Sequence, residues 1–379
     1  MKFYCSRRDL AKALSIVRYG EPRHAMVPIS NDVLLATDGG RLKLTTCAPE
    51  LSVTHWVDAR DARVEEDGEI IVSLHDLRQV VNSLPSRSSV ALETEGNTLA
   101  LSCEAVTASF QRIADEFPPA PAIGDAADSV VVDAGDLRLG LKQVTFAASM
   151  DDLHPVLTGV LMEFTSSALK LVASDGFRLS MRHVLLLQPV KHPFSVIVPA
   201  WTLEKLMHIL AGRNEPVMIS TTSNWVVFTL KDTVLSSSPI DGTFPNYRRI
   251  ISAISRAHHT RAVVNRDELL RACKRAAAIS ADFMRKVRLS VESGRVIVSA
   301  VSTESSRGST VLSADVEGAG MEILLSAYFL IDVLNALDAP QVILLVSKPT
   351  NPCVIKVPGG EGAFTHVIMP ILPNRKGWL

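Results

Sequence analysis

The chain carries one pattern of apolar and polar positions three times. In three segments, a short apolar run is followed by apolar residues at helical spacing: IIVSLHDLRQVVNSLP, VIVPAWTLEKLMHIL and ILLSAYFLIDVLNAL. The matching leucines of these segments, Leu77, Leu203 and Leu330, lie 126 and 127 residues apart. The pattern predicts a strand followed by an amphipathic helix at the same place in each third of the chain.

A second helix and a set of strands repeat with the same period. Three further segments open on an acidic residue before a leucine, as suits the positive end of a helix: RRDLAKALSIV, AGDLRLGLKQV and RDELLRACKRA. Between the helices lie alternating runs that are typical of half-buried antiparallel strands: GRLKLTT, ALKLVAS and GRVIVSA. We predict six helices, at residues 8–18, 75–84, 136–148, 201–213, 267–276 and 326–337.

Proline-containing segments separate the repeats. The dipeptide Phe117-Pro118 recurs 127 residues later as Phe244-Pro245, and proline-rich or polar sequence follows each copy. We interpret the stretches near 118–128 and 245–260 as connections. The chain is then predicted to be an α+β protein of three repeated domains, at 1–124, 125–252 and 253–379. The alternative is three duplicated domains that share no common geometry.

Length and composition agree with several domains in one cytoplasmic chain. A chain of 379 residues and 41.1 kDa exceeds one ordinary domain. No run approaches the roughly 18 apolar residues of a membrane span, and the charges among the first apolar positions lead us to expect no secretion. The five cysteines are odd in number and widely spaced, which favours reduced thiols in a cytoplasm over disulfides or a zinc site.

The motifs of common catalytic and cofactor sites are missing from the sequence. GxxxxGK[ST], GxGxxG, HExxH and CxxC are all absent, and the ten histidines are scattered without ligand spacing. The glycine cluster at 359–362 predicts a hairpin turn instead of a phosphate loop. We therefore predict no enzyme, no cofactor and no metal site, although an enzyme built on repeated α+β domains stays as the weakest alternative.

Charge is uneven along the chain although the formal net charge is only -1. The six predicted helices together contain 11 Lys/Arg against 7 Asp/Glu. Several cations and polar residues lie opposite the apolar stripes: Lys12, Asn82, Lys142, Lys205, His208, Arg271 and Lys274. Such a mildly basic face suits loose, sequence-independent contact with phosphates. An ordinary solvated helix face explains the same charges equally well.

Four segments, in order and at matching separations, resemble a known family: LVASDGFRL, DGTFPNYRRI, MEILLSAYFLIDVLNAL and HVIMPI. They are similar to the beta subunit of bacterial DNA polymerase III, the sliding clamp, and the match runs from residue 1 to the last strand. The resemblance implies a head-to-tail homodimeric ring. Antiparallel sheets would lie outside, and the two helices of each domain would line a central hole around duplex DNA.

The function that the resemblance implies is that of a processivity factor. The ring would tether the DNA polymerase III alpha subunit and other proteins that carry a clamp-binding motif, and a separate clamp loader would open it. A second hypothesis is a divergent, clamp-like protein that binds clients or the resident clamp without encircling DNA effectively. No membrane association is expected.

The resemblance also implies particular site residues. Clients would insert a mostly apolar peptide into a cleft with two arginines at its edge. Its residues would be Leu157, Ser174, Gly176, Phe177, Arg178, Leu179, Pro245, Arg249, Ile250, Ser326, Phe329, Thr350, Pro352, Val367, Ile368, Met369, Pro370 and Ile371. Leu157, Leu179, Ile250 and Ile368 could each instead be ordinary core residues.

Two further sets of residues complete the predicted interfaces. The residues predicted to face DNA are Lys12, Arg18, Arg23, His24, Arg78, Lys142, Lys205, His208, Arg271 and Lys274. Phe110, on an edge strand, and Ile279 match positions that meet across the family's dimer interface. Ordinary buried packing is the alternative for both residues.

The chain departs from the family pattern at several positions. Neutral or weakly basic residues replace the Arg or Lys that clamps often direct toward DNA, at His24, His75, Asn82, Trp201 and His208. The first repeat reads Cys47-Ala48-Pro49-Glu50 where the family has a Thr-Asp run. Leu372 replaces the usual arginine, and an extension containing Trp378 follows it.

Overall fold

A computed structural model describes residues 1–22, 31–57, 62–113, 116–119, 128–222, 224–255, 260–280, 285–300, 308–360 and 362–372. The chain groups into two compact units. The first unit comprises 1–135, 186–192 and 205–239, and the second comprises 136–185, 193–204 and 240–379. In the described part of the chain, no helix combines the length and the apolar character that crossing a membrane requires.

The described residues form seven α-helices: α1 (Arg7–Val17), α2 (Leu74–Ser83), α3 (Ala134–Lys142), α4 (Ala200–Ile209), α5 (Tyr247–Ser255), α6 (Arg266–Ile279) and α7 (Ala327–Ala336). Polar side chains start three of the predicted helices, because Ser6, Ser73 and Asn265 each accept a hydrogen bond from the backbone N–H three residues on. An acidic residue stands at that third position each time, as the helix dipole favours.

Twenty-five strands are described. The strands of the first third are β1 (Lys2–Ser6), β2 (Asp32–Asp38), β3 (Arg41–Ala48), β4 (Leu51–Val57), β5 (Arg63–Glu66), β6 (Glu69–Ser73), β7 (Ser89–Glu95), β8 (Thr98–Cys103) and β9 (Val106–Gln111). Those of the middle third are β10 (Asp128–Asp133), β11 (Gly159–Phe164), β12 (Ala168–Ser174), β13 (Arg178–Leu185), β14 (Phe194–Pro199), β15 (Pro216–Thr221), β16 (Val226–Thr229) and β17 (Thr233–Ser237). The last third contains β18 (Thr260–Asn265), β19 (Lys286–Glu292), β20 (Arg295–Ala300), β21 (Ser309–Glu317), β22 (Met321–Ser326), β23 (Gln341–Val346), β24 (Cys353–Lys356) and β25 (Phe364–Ile368).

The strands pair antiparallel into three sheets. The first unit contains a five-stranded sheet, β5-β1-β7-β8-β9, and an eight-stranded sheet, β10-β15-β16-β17-β4-β3-β2-β6. The second unit contains a twelve-stranded sheet, β14-β11-β12-β13-β25-β24-β23-β18-β21-β20-β19-β22. The alternating runs of the sequence lie in β3, β12 and β20, so the predicted antiparallel strands are confirmed. β24 and β25, the strands on either side of the glycine cluster, pair antiparallel, which confirms the predicted hairpin.

The cores follow the apolar positions of the repeat. In the first unit, Leu10, Leu14 and Leu77 from the helices are fully buried against Leu42 and Leu44 of β3. In the second unit, a larger core encloses the apolar stripes of α6 and α7, including Leu269 and Leu330. Leu203 of α4 is fully buried as well. The three leucines that revealed the repeat are therefore all core residues.

Two strand pairings join successive thirds of the chain. β4 pairs with β17 in the first unit, and Leu51 lies opposite Ser237. β13 pairs with β25 in the second unit, and Arg178 lies opposite Ile368. We call these pairings the first junction and the second junction. The two pairings correspond. Arg178 lies 127 residues after Leu51, so the two residues occupy the same position in successive repeats.

Three helix ends differ from the prediction by at least three residues, and one of them is that of α6, which ends at Ile279 instead of residue 276. α3 ends at Lys142, and the chain continues in a 3-10 turn at Thr145–Ala147, so the predicted end at residue 148 was wrong. α4 ends at Ile209 instead of residue 213. Gly212 adopts a left-handed conformation with φ +74, which closes that helix end without steric cost.

One helix was missed entirely. α5 occupies Tyr247–Ser255, where the sequence was interpreted as a connection. Pro245 misled the interpretation, because a proline just before the first turn does not prevent a helix. The apolar positions Tyr247, Ile250 and Ile251 already follow helical spacing.

Candidate functional site

A small apolar cluster covers one face of the twelve-stranded sheet. α3 packs on the other face, because Gly140 lies close to Leu171 and Val184. Side chains alternate between the two faces of a strand. The strand residues of the cluster are therefore those whose side chains point to the face opposite α3. It contains Leu161, Val172, Leu179, Ile197, Tyr247 and Val367. α5 closes over this cluster through Tyr247 and Ile251.

The loop between β12 and β13 forms one edge of the predicted cleft. Asp175 Oδ1 accepts hydrogen bonds from the backbone N–H groups of Phe177 and Arg178, both at 2.9 Å. Gly176 has φ +88, a left-handed conformation that favours glycine and accounts for the predicted turn. The Met369 N–H donates to the Phe177 carbonyl at 2.8 Å. The Phe177 side chain is left 61% exposed.

Arg178 is held inside the site instead of lying free at its edge. Its guanidinium donates from Nε to Asp175 Oδ2 at 2.9 Å and from Nη1 to Asp332 Oδ2 at 2.6 Å. It also lies 4.5 Å from the ring centre of Phe329 and 5.5 Å from that of Phe146. Its side chain is only 11% exposed. The prediction of two arginines at the edge of the cleft is therefore corrected. Of the two, only Arg249 is exposed, whereas Arg178 is half-buried and forms ion pairs with two aspartates.

All eighteen predicted pocket residues lie in the second unit, at different depths. The exposed ones are Gly176, Phe177, Pro245, Arg249, Ile250, Thr350 and Met369. The half-buried ones are Leu157, Ser174, Arg178, Phe329, Pro352, Pro370 and Ile371. The buried ones are Leu179, Ser326, Val367 and Ile368. Ile368 has no exposed surface and belongs to the large core, so its place in the pocket lining is corrected to a supporting one.

His366, which the prediction did not select, lies buried beside this site. Its ring centre is 5.3 Å from that of Phe146. Burial, followed by the nearby charge of Arg178, lowers the pKa of His366 to about 3. Neither ring nitrogen has a hydrogen-bond partner among the described residues. The sequence around His366 did not indicate this site, because the run Val367-Ile368-Met369 that follows it is typical of an ordinary buried strand.

The predicted DNA-facing residues differ in how free their charges are. Lys12, Arg18, His208, Arg271 and Lys274 are exposed. Three cations are engaged or partly covered: Lys142 Nζ donates to Asp338 at 2.7 Å, Lys205 Nζ donates to the Glu21 carbonyl, and Arg78 is half-buried. Burial lowers the pKa of Lys205 to about 8. Arg23 and His24 lie outside the described residues.

The exposed cations concentrate on the first helix of each repeat. Besides the predicted residues, α1, α3 and α6 expose Arg8, Arg138 and Arg275, which the sequence interpretation missed. Arg8 precedes Lys12 by one helical turn, so its spacing could have revealed it. The second helices expose mostly neutral or weakly basic groups, among them His75, Asn82, His208 and Asn335. His208 of α4 stacks on Tyr19, with ring centres 5.5 Å apart.

The two predicted dimer-interface residues lie near strand ends. Phe110 is on β9, the last strand of the five-stranded sheet, and is 9% exposed within the core. Its predicted place on an edge strand is confirmed. Ile279 is the last residue of α6 and is half-buried close to Gly308, next to the start of β21.

Comparison with known proteins identifies relatives over the whole chain. Models of the DNA polymerase III beta subunit match in three pieces: its N-terminal domain at residues 1–118, its central domain at 132–246 and its C-terminal domain at 252–372. The beta sliding clamp of Synechococcus elongatus is 30% identical, with 98% of this chain and 99% of that protein covered.

Solved structures agree in fold. The sliding clamp of Pseudomonas aeruginosa bound to griselimycin is 26% identical and superposes with a TM-score of 0.91, covering 98% of this chain and all of that one. The sliding clamp from Bacillus subtilis gives a TM-score of 0.91 at 23% identity, over 99% of this chain and 100% of that one. The predicted fold of three clamp domains is confirmed.

Proposed function

The chain belongs to the DNA polymerase III beta subunit family, the beta sliding clamps, and from this premise we propose how its residues serve a clamp. A sliding clamp is a processivity factor and not an enzyme. We propose that two copies close into a ring around duplex DNA in the cytoplasm, and that each copy holds client proteins. Three domains, at 1–124, 125–252 and 253–379, are proposed from the threefold repeat.

The observation that carries client binding is a pair of exposed apolar side chains at the second junction. Phe177 is 61% and Met369 43% exposed, and Ile250 of α5 is 42% exposed. Exposed apolar groups beside a preformed apolar cluster suit the burial of a partner's apolar side chains. We propose that this cleft takes the clamp-binding motif of the DNA polymerase III alpha subunit, of the clamp loader and of other clients.

The cations of the first helices are the proposed DNA contacts. Those on α1 are Arg8 and Lys12, with Arg18 directly after the helix; those on α3 are Arg138 and Lys142, and those on α6 are Arg271, Lys274 and Arg275. His208 and Arg78 would contribute less, and Lys205 is tied to Glu21. Long side chains that reach phosphates without reading bases leave a ring free to move along the duplex.

The repeat also suggests how two copies join. β9 lies 127 residues before β17, and the β20–β21 hairpin repeats the β3–β4 hairpin. Because β4 pairs with β17 within one chain, we propose that the start of β21 pairs with the start of β9 of the next copy. In this proposed pairing, the matched register would put Val106 opposite Thr310 of the partner subunit. Phe110 and Ile279 would then lie at or beneath the interface.

Retention on circular and linear duplex DNA tests the ring. After loading, a clamp should stay on a closed circle and be lost from the same DNA once it is cut. Equal retention on both would contradict encirclement and favour a clamp-like interaction protein. Sizing at micromolar concentration gives an independent check, because a stable monomer would refute the dimer.

The DNA contacts are tested by salt dependence. Replacing Arg8, Lys12 and Arg18 together by Gln should lower the slope of log affinity against log salt by about one unit for each phosphate that the helix no longer neutralises. Glu93→Gln, on β7, is a control that removes a charge from a sheet. An unchanged slope in the triple variant would remove α1 from the DNA-binding surface.

A further inference from the structure

One carboxylate anchors the first turn of α5 to the sheet. Tyr247 Oη donates to Glu163 Oε2 at 2.5 Å, and Arg248 Nη2 donates to Glu163 Oε1 at 2.7 Å. Lys170, the cross-strand neighbour of Glu163, lies 3.9 Å from Oε2. The Glu163 side chain is 14% exposed. Both oxygens are therefore used in partly buried, charge-assisted contacts, which are stronger than neutral ones.

The same turn of α5 carries exposed residues of the proposed pocket. Tyr247 is 5% exposed and lies in the apolar cluster, whereas Ile250 is 42% exposed. Arg249 is also exposed. Arg249 and Ile250 directly follow the two residues that Glu163 binds, so their positions depend on where this turn is held.

We propose that Glu163 is a positioning residue for the client pocket. By holding Tyr247 and Arg248, it fixes Arg249 and Ile250 at the pocket edge, where they contact the peptide. The inference rests on the proposed client-binding function and adds a residue that does not itself touch the client.

The length of the helix supports this role. α5 has nine residues, and helices shorter than about 12 residues are marginal without tertiary contacts. A carboxylate near the first turn also complements the positive end of the helix. Burial, followed by Glu163, raises the pKa of the Tyr247 phenol, so this hydroxyl stays a donor at neutral pH.

The first repeat provides an internal comparison. Ala36 occupies on β2 the place that Glu163 occupies on β11, and Lys43 faces it as Lys170 faces Glu163. The strand pairing of the repeat therefore forms without a carboxylate at this position. The glutamate is specific to the sheet face that carries α5 and the pocket.

The test measures binding of a fluorescein-labelled peptide carrying the clamp-binding motif of the DNA polymerase III alpha subunit. Glu163→Leu, which removes both acceptors, should weaken binding about tenfold, and Glu163→Gln and Tyr247→Phe should each weaken it about threefold. Glu317→Gln removes the exposed partner of Arg261 on β21 and should leave the affinity unchanged. Circular dichroism should show the same secondary structure in all variants.

Combination with Ile250→Ala separates positioning from general stability. If Glu163 acts through α5, the effects of Glu163→Gln and Ile250→Ala on peptide affinity should be strongly non-additive. Additive effects, or wild-type affinity in the Glu163 and Tyr247 variants, would overturn the inference. No binding of the peptide by the wild-type protein would instead refute the proposed client pocket.

Discussion

The two junctions share a backbone plan and differ in their side chains. The Ser238 N–H donates to the Glu50 carbonyl at 2.9 Å in the first junction, as the Met369 N–H donates to Phe177 at 2.8 Å in the second. The first junction thus presents Glu50 and Ser238 at the places where the second presents Phe177 and Met369. The underlying positions differ likewise: Thr45, Ser52 and Thr54 correspond to Val172, Leu179 and Met181.

This difference separates what the fold requires from what function adds. Main-chain hydrogen bonds hold both strand pairs, so neither junction needs exposed apolar residues. The apolar groups at the second junction therefore require a reason outside the chain's own folding, and a peptide partner supplies one. Because the sites arise from one repeat, each serves as the control for the other.

The polar interior of the first junction is closed by its own network. His55 Nδ1 lies 2.8 Å from Thr233 Oγ1, and Arg213 Nη1 donates to Asp232 at 2.6 Å and to Glu215 at 2.8 Å. At the second junction the place of Thr233 is taken by Phe364, which is fully buried. At this matched position, the first junction has a polar group within an ion-paired network, and the second has a buried apolar side chain.

The largest expected effect distinguishes the two buried histidines at low pH. Burial lowers the pKa of His55 to about 4, and burial with the Arg178 charge lowers that of His366 to about 3. An unfolded histidine has a pKa of about 6.5, so below that pH the unfolded chain binds protons that the folded chain excludes. The histidines' contribution is fully present above pH ~6.5 and is lost as the pH falls toward the folded values.

His366→Leu installs the residue that occupies the matched place, Leu235. It should raise the free energy of unfolding by about 1 kcal/mol at pH 7, because it removes a buried polar group that has no hydrogen-bond partner in the described part of the chain. At pH 4.5 the stabilisation by His366→Leu should be larger than at pH 7 by roughly 3 kcal/mol. His55→Leu should destabilise the protein at pH 7, since Thr233 and Asp232 lose a partner. Urea unfolding at the two pH values measures both effects, and an equal gain at both would contradict the titration.

Exchanging the exposed residues should remove the pocket while leaving the fold intact. Phe177→Glu with Met369→Ser gives the second junction the side chains of the first. Client-peptide affinity should fall about 30- to 100-fold, as for the loss of two apolar anchors of an interface. Fluorescence anisotropy measures the affinity, and an unchanged melting temperature shows that the strand pair survives. Binding at wild-type strength would refute the pocket assignment.

Arg213→Met tests the network of the first junction. The Arg213 side chain is 12% exposed, and its removal leaves Asp232 and Glu215 without their cation. The free energy of unfolding should fall by about 2 kcal/mol. Client-peptide affinity should not change, because the pocket lies in the second unit. Weaker peptide binding together with unchanged stability would contradict the prediction that Arg213 stabilises the first junction and plays no part in client binding.

The smallest effect is expected from the reverse exchange. Glu50→Phe with Ser238→Met places apolar side chains on the first junction, above Thr45, Ser52 and Thr54. Stability should change by less than about 0.5 kcal/mol, as is usual for surface changes. Added to the variant that lacks the second pocket, the exchange should restore no peptide binding. Restored binding would show that two exposed side chains alone make the site.

The chemistry of the site was less predictable than its position. The segments around Arg178 and Met369 could be located from the sequence, yet Arg178 was expected at a free edge. Its pairing with Asp332 joins residues 154 positions apart, which spacing cannot reveal. Asp332 was visible as the only acid in the apolar stretch of α7. Glu163 gave no comparable indication, because acids on exposed strand positions are common.

The sequence by itself determined the repeat, the strand alternation and the six helices, because these depend on local periodicity and on helix-starting residues such as Ser6 and Asn265. Tertiary structure decided that the short segment Tyr247–Ser255 is held on the sheet through Glu163, that Arg178 is paired with two carboxylates and that Ile368 is inaccessible. Each of these outcomes depends on contacts between residues far apart in the chain. Their energies arise from burial and charge pairing that exist only once the strands have met.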